Sequence, residues 1–234
     1  SGEDVAFDFA KFFETRNGAF TNISDVAKFL NAIAPTPERD RDGFPNAGEE
    51  PDAGMFTGAA QMPYASDQLD FTRHALWVFD RVDTCKAMEK LLASHPVFQD
   101  YTVVMVAGAG DSEAKNALGR VKNAMGDDPS VTRTITLTVG RLTTGVTVAP
   151  WTTVLMLNNG SSAETYMQTI FRTQSPYTNG AGFKTECAVY DFAPDRVLQV
   201  LVEATDSSGK TSSGKTGGGR SRLGELLNYL PVIS

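Results

Sequence analysis

Three stretches in close succession, Thr132-Arg-Thr-Ile-Thr-Leu-Thr-Val139, Gly140-Arg-Leu-Thr-Thr-Gly-Val-Thr147 and Thr152-Thr-Val-Leu-Met-Leu157, decide the fold. The first alternates β-branched and apolar residues and predicts a strand. The third is a near-continuous apolar run, as expected of a strand buried on both faces of a parallel sheet. Between them lies a loop of hydroxyls and glycines that can offer backbone N–H groups and threonine side chains to phosphates. A helix over 161–173 follows, and its spacing puts Gln168 and Arg172 at i and i+4 on one face.

Working outward, the pattern predicts a strand over 74–80, a helix over 83–95, a strand over 101–107 and a helix over 111–125. Beyond the opening stretches it predicts a strand over 186–192 and a helix over 194–204. Strands alternating with helices imply a parallel sheet joined by right-handed crossovers. Asp83-Thr84 and Asp111-Ser112 suit helix starts, and Pro194 suits a first helical turn. Upstream, residues 3–18 read as an amphipathic helix with Val5, Phe7, Phe9, Phe12 and Phe13 on its apolar face. Residues 23–33 read as a second, with Val26, Phe29, Leu30 and Ile33 recurring at helical spacing and Asn22 or Ser24 as N-cap. Pro35 to Pro63 is rich in proline, glycine and acid and reads as an irregular loop or linker. Residues 206–222 are a Ser/Gly/Lys/Thr tract of low complexity, followed by a closing segment from Leu223 to Ile233. The expected division is 1–70, 71–205 and 206–234.

Composition sets the bounds. The 234 residues suffice for one sizeable core, and 41% hydrophobic with 21% charged residues is ordinary for a soluble domain. No apolar run approaches the roughly 20 residues needed to span a bilayer, and no basic-then-apolar leader is visible. Cys85 and Cys187 are expected as buried free thiols in helix and strand, which suits a reducing cytoplasm. A net charge of −7 argues against nucleic-acid binding over the whole surface, but the acid is concentrated between Glu38 and Asp52. Around the opening stretch, Arg133, Arg141 and Arg172 stand against the single acid Glu164, a balance compatible with a local phosphate track.

Other motifs have plainer readings. Gly209-Lys-Thr-Ser-Ser-Gly-Lys-Thr216 matches a phosphate-binding P-loop letter by letter. A working P-loop needs a buried strand before it and a helix after it. Here a duplicated Ser-Gly-Lys-Thr makes the match inside the low-complexity tract, so no ligand is expected there. Gly108-Ala-Gly110 has the start of a dinucleotide fingerprint, but Glu113 stands at the third glycine's place, and a tight strand–helix turn is the simpler account. Glu113-Ala-Lys115 falls on a helix without a partner acid, so it is no nuclease centre. His74 and His95 are too separate for a metal site, and Trp77 and Phe79 are core-strand residues before they are stacking platforms. No metal ligands are expected.

Leu142-Thr-Thr-Gly-Val-Thr147 resembles motif V of superfamily II helicases and translocases. Gln168-Thr-Ile-Phe-Arg-Thr-Gln174 resembles their motif VI, and Ala75-Leu-Trp-Val-Phe-Asp80 with its following helix is similar to motif IV. The ordered set covers about residues 71–205, matches the second lobe alone, and is most like the helicase subunit of restriction-type DNA defence enzymes. The resemblance implies an α/β, RecA-like lobe with a mostly parallel sheet flanked by helices, here with an N-terminal helical extension. It implies an ATP-dependent DNA helicase or translocase whose ATP and Mg²⁺ are bound mainly by a first lobe of the same polypeptide. In that reading Thr143, Thr144 and Gly145 contact the DNA backbone. Arg172 is the arginine finger, and Gln168 and Thr147 lie at the nucleotide. Thr147 stands where the family often has aspartate, Thr169 and Ser175 replace flanking arginines, and Phe171 replaces a glycine. This chain by itself is expected not to hydrolyse ATP. The alternative is a non-catalytic α/β interaction module of a larger nucleic-acid-processing protein, and a weaker one is a small-nucleotide site at the Gly108 turn.

Overall fold

The computed structural model describes residues 7–35, 62–65, 68–106, 111–139, 148–160, 162–179, 182–184, 186–193 and Arg196. The chain opens with a short helix α1 (Phe9–Phe12), a two-residue strand β1 (Thr15–Arg16), its partner β2 (Ala19–Phe20) and helix α2 (Ile23–Ile33). Then follow β3 (His74–Phe79), α3 (Val82–Leu92), β4 (Thr102–Val106), α4 (Asp111–Met125), β5 (Thr134–Thr138) and β6 (Thr153–Leu157). Helix α5 (Ala163–Ile170), a 3-10 turn (Phe171–Gln174), the small hairpin β7 (Thr178–Asn179) and β8 (Gly182–Phe183), and strand β9 (Ala188–Asp191) complete the described elements.

Five strands form one sheet in the order β4-β5-β3-β6-β9, and every pairing is parallel. The central strands β3, β5 and β6 are buried at every residue, as their apolar and β-branched runs require. Alternation along them builds two cores. On one face Ala75, Trp77, Phe79, Ile135, Leu137, Leu155 and Leu157 pack with Cys85, Met88 and Leu92 of α3 and with Phe9, Phe13, Phe20, Val26 and Leu30 of the N-terminal elements. On the other, Leu76, Val78, Val154 and Met156 pack with Ala117, Val121 and Met125 of α4, with Val148 and Trp151, and with Tyr166 of α5. The expected α/β architecture is therefore present, with helices on both sides.

The opening of the chain differs from expectation. Among the described residues, from Phe7 on, the helix expected over 3–18 is reduced to α1, because the chain turns at Asn17 (φ 54°) and Gly18 (φ 77°) and pairs β1 with β2. Two consecutive positive φ values are what a tight hairpin demands, and Asn-Gly supplies them at little cost. Phe9, Phe13 and Phe20 still face the core and Phe12 packs partly against it, whereas Phe7 is exposed. Helices α2 and α4 have the expected bounds. Asn22 does occupy the N-cap of α2, but its side chain donates to the Lys11 carbonyl at 3.3 Å instead of capping. Cys187 lies just ahead of the edge strand β9 and is exposed, whereas Cys85 is buried in α3 and its thiol is pushed up to about 12 by burial. Both are free. No described helix is long and apolar enough to cross a membrane.

Candidate functional site at the carboxyl edge

A parallel sheet delivers its loops at the carboxyl ends of its strands, and ligands of such folds bind where neighbouring connections leave to opposite faces. Here α3 leaves β3 toward the first core while α5 leaves the adjacent β6 toward the second. The switch point therefore lies between Asp80, which follows β3, and Asn158-Asn159, which follow β6.

Asn159 organises this crevice. Its backbone N–H faces both Asp80 carboxylate oxygens at 3.2 and 3.0 Å. Its side-chain amide donates to Asp8 Oδ1 at 2.7 Å, and its Oδ1 accepts the Phe9 N–H at 2.8 Å. The start of α1 is thus seated over the switch point, and Asp8 also caps that helix by accepting from the Lys11 N–H. The Asn159 hydrogen bond, then the Lys11 one, hold the Asp8 carboxyl below its ordinary value.

Beside it Arg196 is buried against Asp191 in a two-pronged pair, Nε to Oδ2 at 2.9 Å and Nη2 to Oδ1 at 2.7 Å. Its Nη1 donates to the Asn158 side-chain oxygen at 3.1 Å and to the Gly160 carbonyl at 3.0 Å, and the Phe9 ring lies 5.9 Å from the guanidinium carbon. Desolvated pairs of this kind persist only with every prong engaged. Arg196 thereby fixes the β6–α5 loop, from which Ser162 caps α5 by accepting the Thr165 N–H at 3.3 Å.

Helix α5 carries the expected Gln168, whose amide donates to Glu164 Oε1 at 3.0 Å, an i,i+4 pair along the helix surface. The helix expected to run to 173 ends its α-helical part at Ile170, and the 3-10 turn carries Arg172. Each residue there advances by about 120° rather than 100°, so Gln168 and Arg172 do not share one continuous helical face. Arg172 is half-buried, and desolvation draws its pKa below the ordinary value. Neighbouring Phe171 is 51% exposed.

That turn is tied down from behind. Lys184, at the end of the β7–β8 hairpin, donates from Nζ to the carbonyls of Ala149 (2.8 Å), Trp151 (3.0 Å) and Thr173 (2.6 Å). Burial lowers its pKa.

Thr143, Thr144, Gly145 and Thr147 lie outside the described residues, as do the Gly108-Ala-Gly110 turn, the acidic block, the 206–222 tract and, apart from Arg196, the 194–204 helix. Among the described residues no cluster of His, Cys, Asp or Glu could hold a metal ion. Asn159, Arg196, Asp191 and Lys184 have no place among the sequence-derived site residues. Asn158-Asn159-Gly160 directly after a buried strand is the available signal for the first of them.

No family model matches the chain. A Mycoplasma pneumoniae protein, provisionally named as the C-terminal part of the type II restriction enzyme and methyltransferase RM.MpnORF110P, is 30% identical over 228 residues, covering 96% of this chain and 30% of that protein. The likeness runs through nearly the whole chain. The chain spans less than a third of that relative's length. Among solved structures, the second domain of the DEAD-box helicase Mss116p, bound to an RNA duplex, is similar at TM-score 0.43 and 16% identity, over 70% of this chain and 61% of that one. The C-terminal domain of the DEAD-box protein Dbp5 follows at 0.40 and 11%, over 68% and 83%. The C-terminal part of the Fun30 ATPase domain follows at 0.39 and 10%, over 69% and 50%.

Proposed function

We propose that this chain is the C-terminal, RecA-like motor lobe of an ATP-dependent DNA helicase or translocase of restriction type. Thr143, Thr144 and Gly145 contact the DNA phosphate backbone, and Arg172 reaches the nucleotide held by a first lobe, with Gln168 and Thr147 beside it. ATP and Mg²⁺ are bound mainly by that first lobe. The observation that carries the reading is that β5 and β6 run parallel on either side of β3. The hydroxyl-rich loop therefore leaves β5 at the carboxyl edge and ends where β6 begins. Helix α5, which follows the carboxyl end of β6, leads back to the turn bearing Arg172, so loop and turn belong to neighbouring connections that can serve a track and a nucleotide. The restriction-type name of the relative agrees with it. An arginine in such a place stabilises charge on the transferring phosphoryl group, which a lysine's point charge does less well.

A non-catalytic interaction module is the second reading, and the Gln168–Glu164 pair favours it for that one residue, since the pair is what a solvated helix face shows. Replacing both Thr143 and Thr144 by valine separates the two. In the intact enzyme, binding is followed by fluorescence anisotropy and ATP turnover is measured with and without DNA. The double variant should bind DNA about 30-fold more weakly and keep basal turnover, because each of the two hydroxyl–phosphate hydrogen bonds is worth roughly 1 kcal/mol. Unchanged DNA affinity would remove the track from this loop.

A further inference from the structure

The β7–β8 hairpin has no role in the reading above, yet its last residue joins the two segments that reading uses. Residues 148–151 are the described chain directly after the 140–147 loop. They form a tight buried turn in which the Trp151 N–H donates to the Val148 carbonyl at 3.1 Å, with Val148 and Trp151 set in the core. Thr173 is the neighbour of Arg172, is fully buried, and bonds its hydroxyl to the Ile170 carbonyl at 2.9 Å. Lys184 spans the two through the Ala149, Trp151 and Thr173 carbonyls. An ammonium has three donors, and all three are used. The hairpin pairing and the Lys184 N–H bond to the Tyr177 carbonyl at 2.8 Å fix where the side chain starts.

We propose that Lys184 is a positioning residue that locks the turn carrying Arg172 to the segment ending the Thr143–Thr147 loop, and so transmits DNA contact to the nucleotide site. The inference rests on the motor-lobe reading. A displacement of the loop's end moves the Ala149 and Trp151 carbonyls. Through one ammonium it moves the Thr173 carbonyl, and the arginine beside it shifts with the same turn. Because every acceptor is a backbone carbonyl, the link is independent of the side chains at positions 149, 151 and 173. Lys184 therefore makes it through its ammonium alone, with no partner side chain required.

The test uses the intact enzyme and the ratio of DNA-stimulated to basal ATP turnover, with thermal melting alongside. Lys184→Met keeps the stem and removes the donors. It should lower the ratio about 10-fold or more, within the range of ordinary site-to-site coupling. Lys184→Arg restores charge, but a planar fork does not converge on three carbonyls as an ammonium does, so it should recover melting better than it recovers the ratio. A wild-type ratio in Lys184→Met, or basal and stimulated turnover falling together in step with melting, would overturn the proposal. Should Lys184→Met fail to fold, Lys184→Arg decides: a lowered ratio supports the link and a wild-type ratio overturns it. An Arg172→Ala arm keeps the two claims apart. If that variant loses turnover while the Lys184 variants keep the ratio, the link alone fails; if it keeps turnover, the motor reading fails and the link with it.

Discussion

The two edges of the sheet are closed by different chemistry. At the amino edge His74 is buried, with Nδ1 2.9 Å from the Thr134 hydroxyl and Nε2 2.7 Å from the Pro129 carbonyl, and the Thr152 hydroxyl donates to the Phe71 carbonyl. These are mostly neutral bonds beside the strand starts, with the surface Arg73–Asp70 pair and the Lys184 ammonium on the carbonyls just before β6 as the charged exceptions. At the carboxyl edge the contacts involve charged side chains: Asn159 to Asp8, and Arg196 to Asp191, Asn158 and Gly160. A mostly neutral edge holds the strands in register. A charged edge carries desolvation costs that only complete pairing offsets, and it is where the segments with functional promise emerge.

The contrast breaks most visibly at Arg196. Arg196→Ala leaves Asp191 buried without its partner and should cost about 3–5 kcal/mol, read as a lower urea midpoint. A loss below about 1 kcal/mol would mean that the carboxyl edge is no more demanding than a surface ion pair. Asn159→Ala removes the two side-chain bonds that seat α1 and should cost about 1–3 kcal/mol by the same measurement. The loss should be matched by faster hydrogen exchange at Phe9, and unchanged exchange there would show that α1 is held by its phenylalanines alone. The smallest effect belongs to the amino edge. Burial keeps the folded-state pKa of His74 below its ordinary 6.5, so folding favours the neutral ring. Stability from this source is complete above pH 6.5 and declines as the pH falls toward the folded value, because the unfolded chain binds the proton first. His95 shifts the same way, also through burial. The melting temperature should therefore fall below pH 6.5, and His74→Gln, which keeps hydrogen-bonding capacity without titrating, should flatten that fall. An unflattened curve would assign the dependence to His95 or to other groups.

The interior was legible because burial writes itself into local composition. The runs around Ile135, Trp77 and Leu155 admit few structures other than central parallel strands, and the apolar periodicity of α2 and the span of α4 lead to their observed ends. Legibility failed where one local signal outweighed another. The phenylalanines before Asn17 have helical spacing, but Asn17-Gly18 is the stronger instruction and produces a hairpin. The helix that bears the motif VI resemblance extends, on its sequence pattern, through Arg172 into what is a 3-10 turn, because no breaker stands before Pro176. The carboxyl-edge network was hidden for another reason. Arg196 meets Asn158 across 38 positions and Asn159 meets Asp8 across 151, and pairings at that range leave no periodic trace in a single sequence.

The most direct measurement is DNA-stimulated ATP hydrolysis by the intact enzyme carrying Arg172→Ala. The motor-lobe account predicts a fall in kcat on the order of 10³-fold, the scale of a lost arginine finger, with DNA affinity changed far less because this residue meets the nucleotide and not the track. Turnover at the wild-type rate would contradict it and leave the lobe as an interaction module.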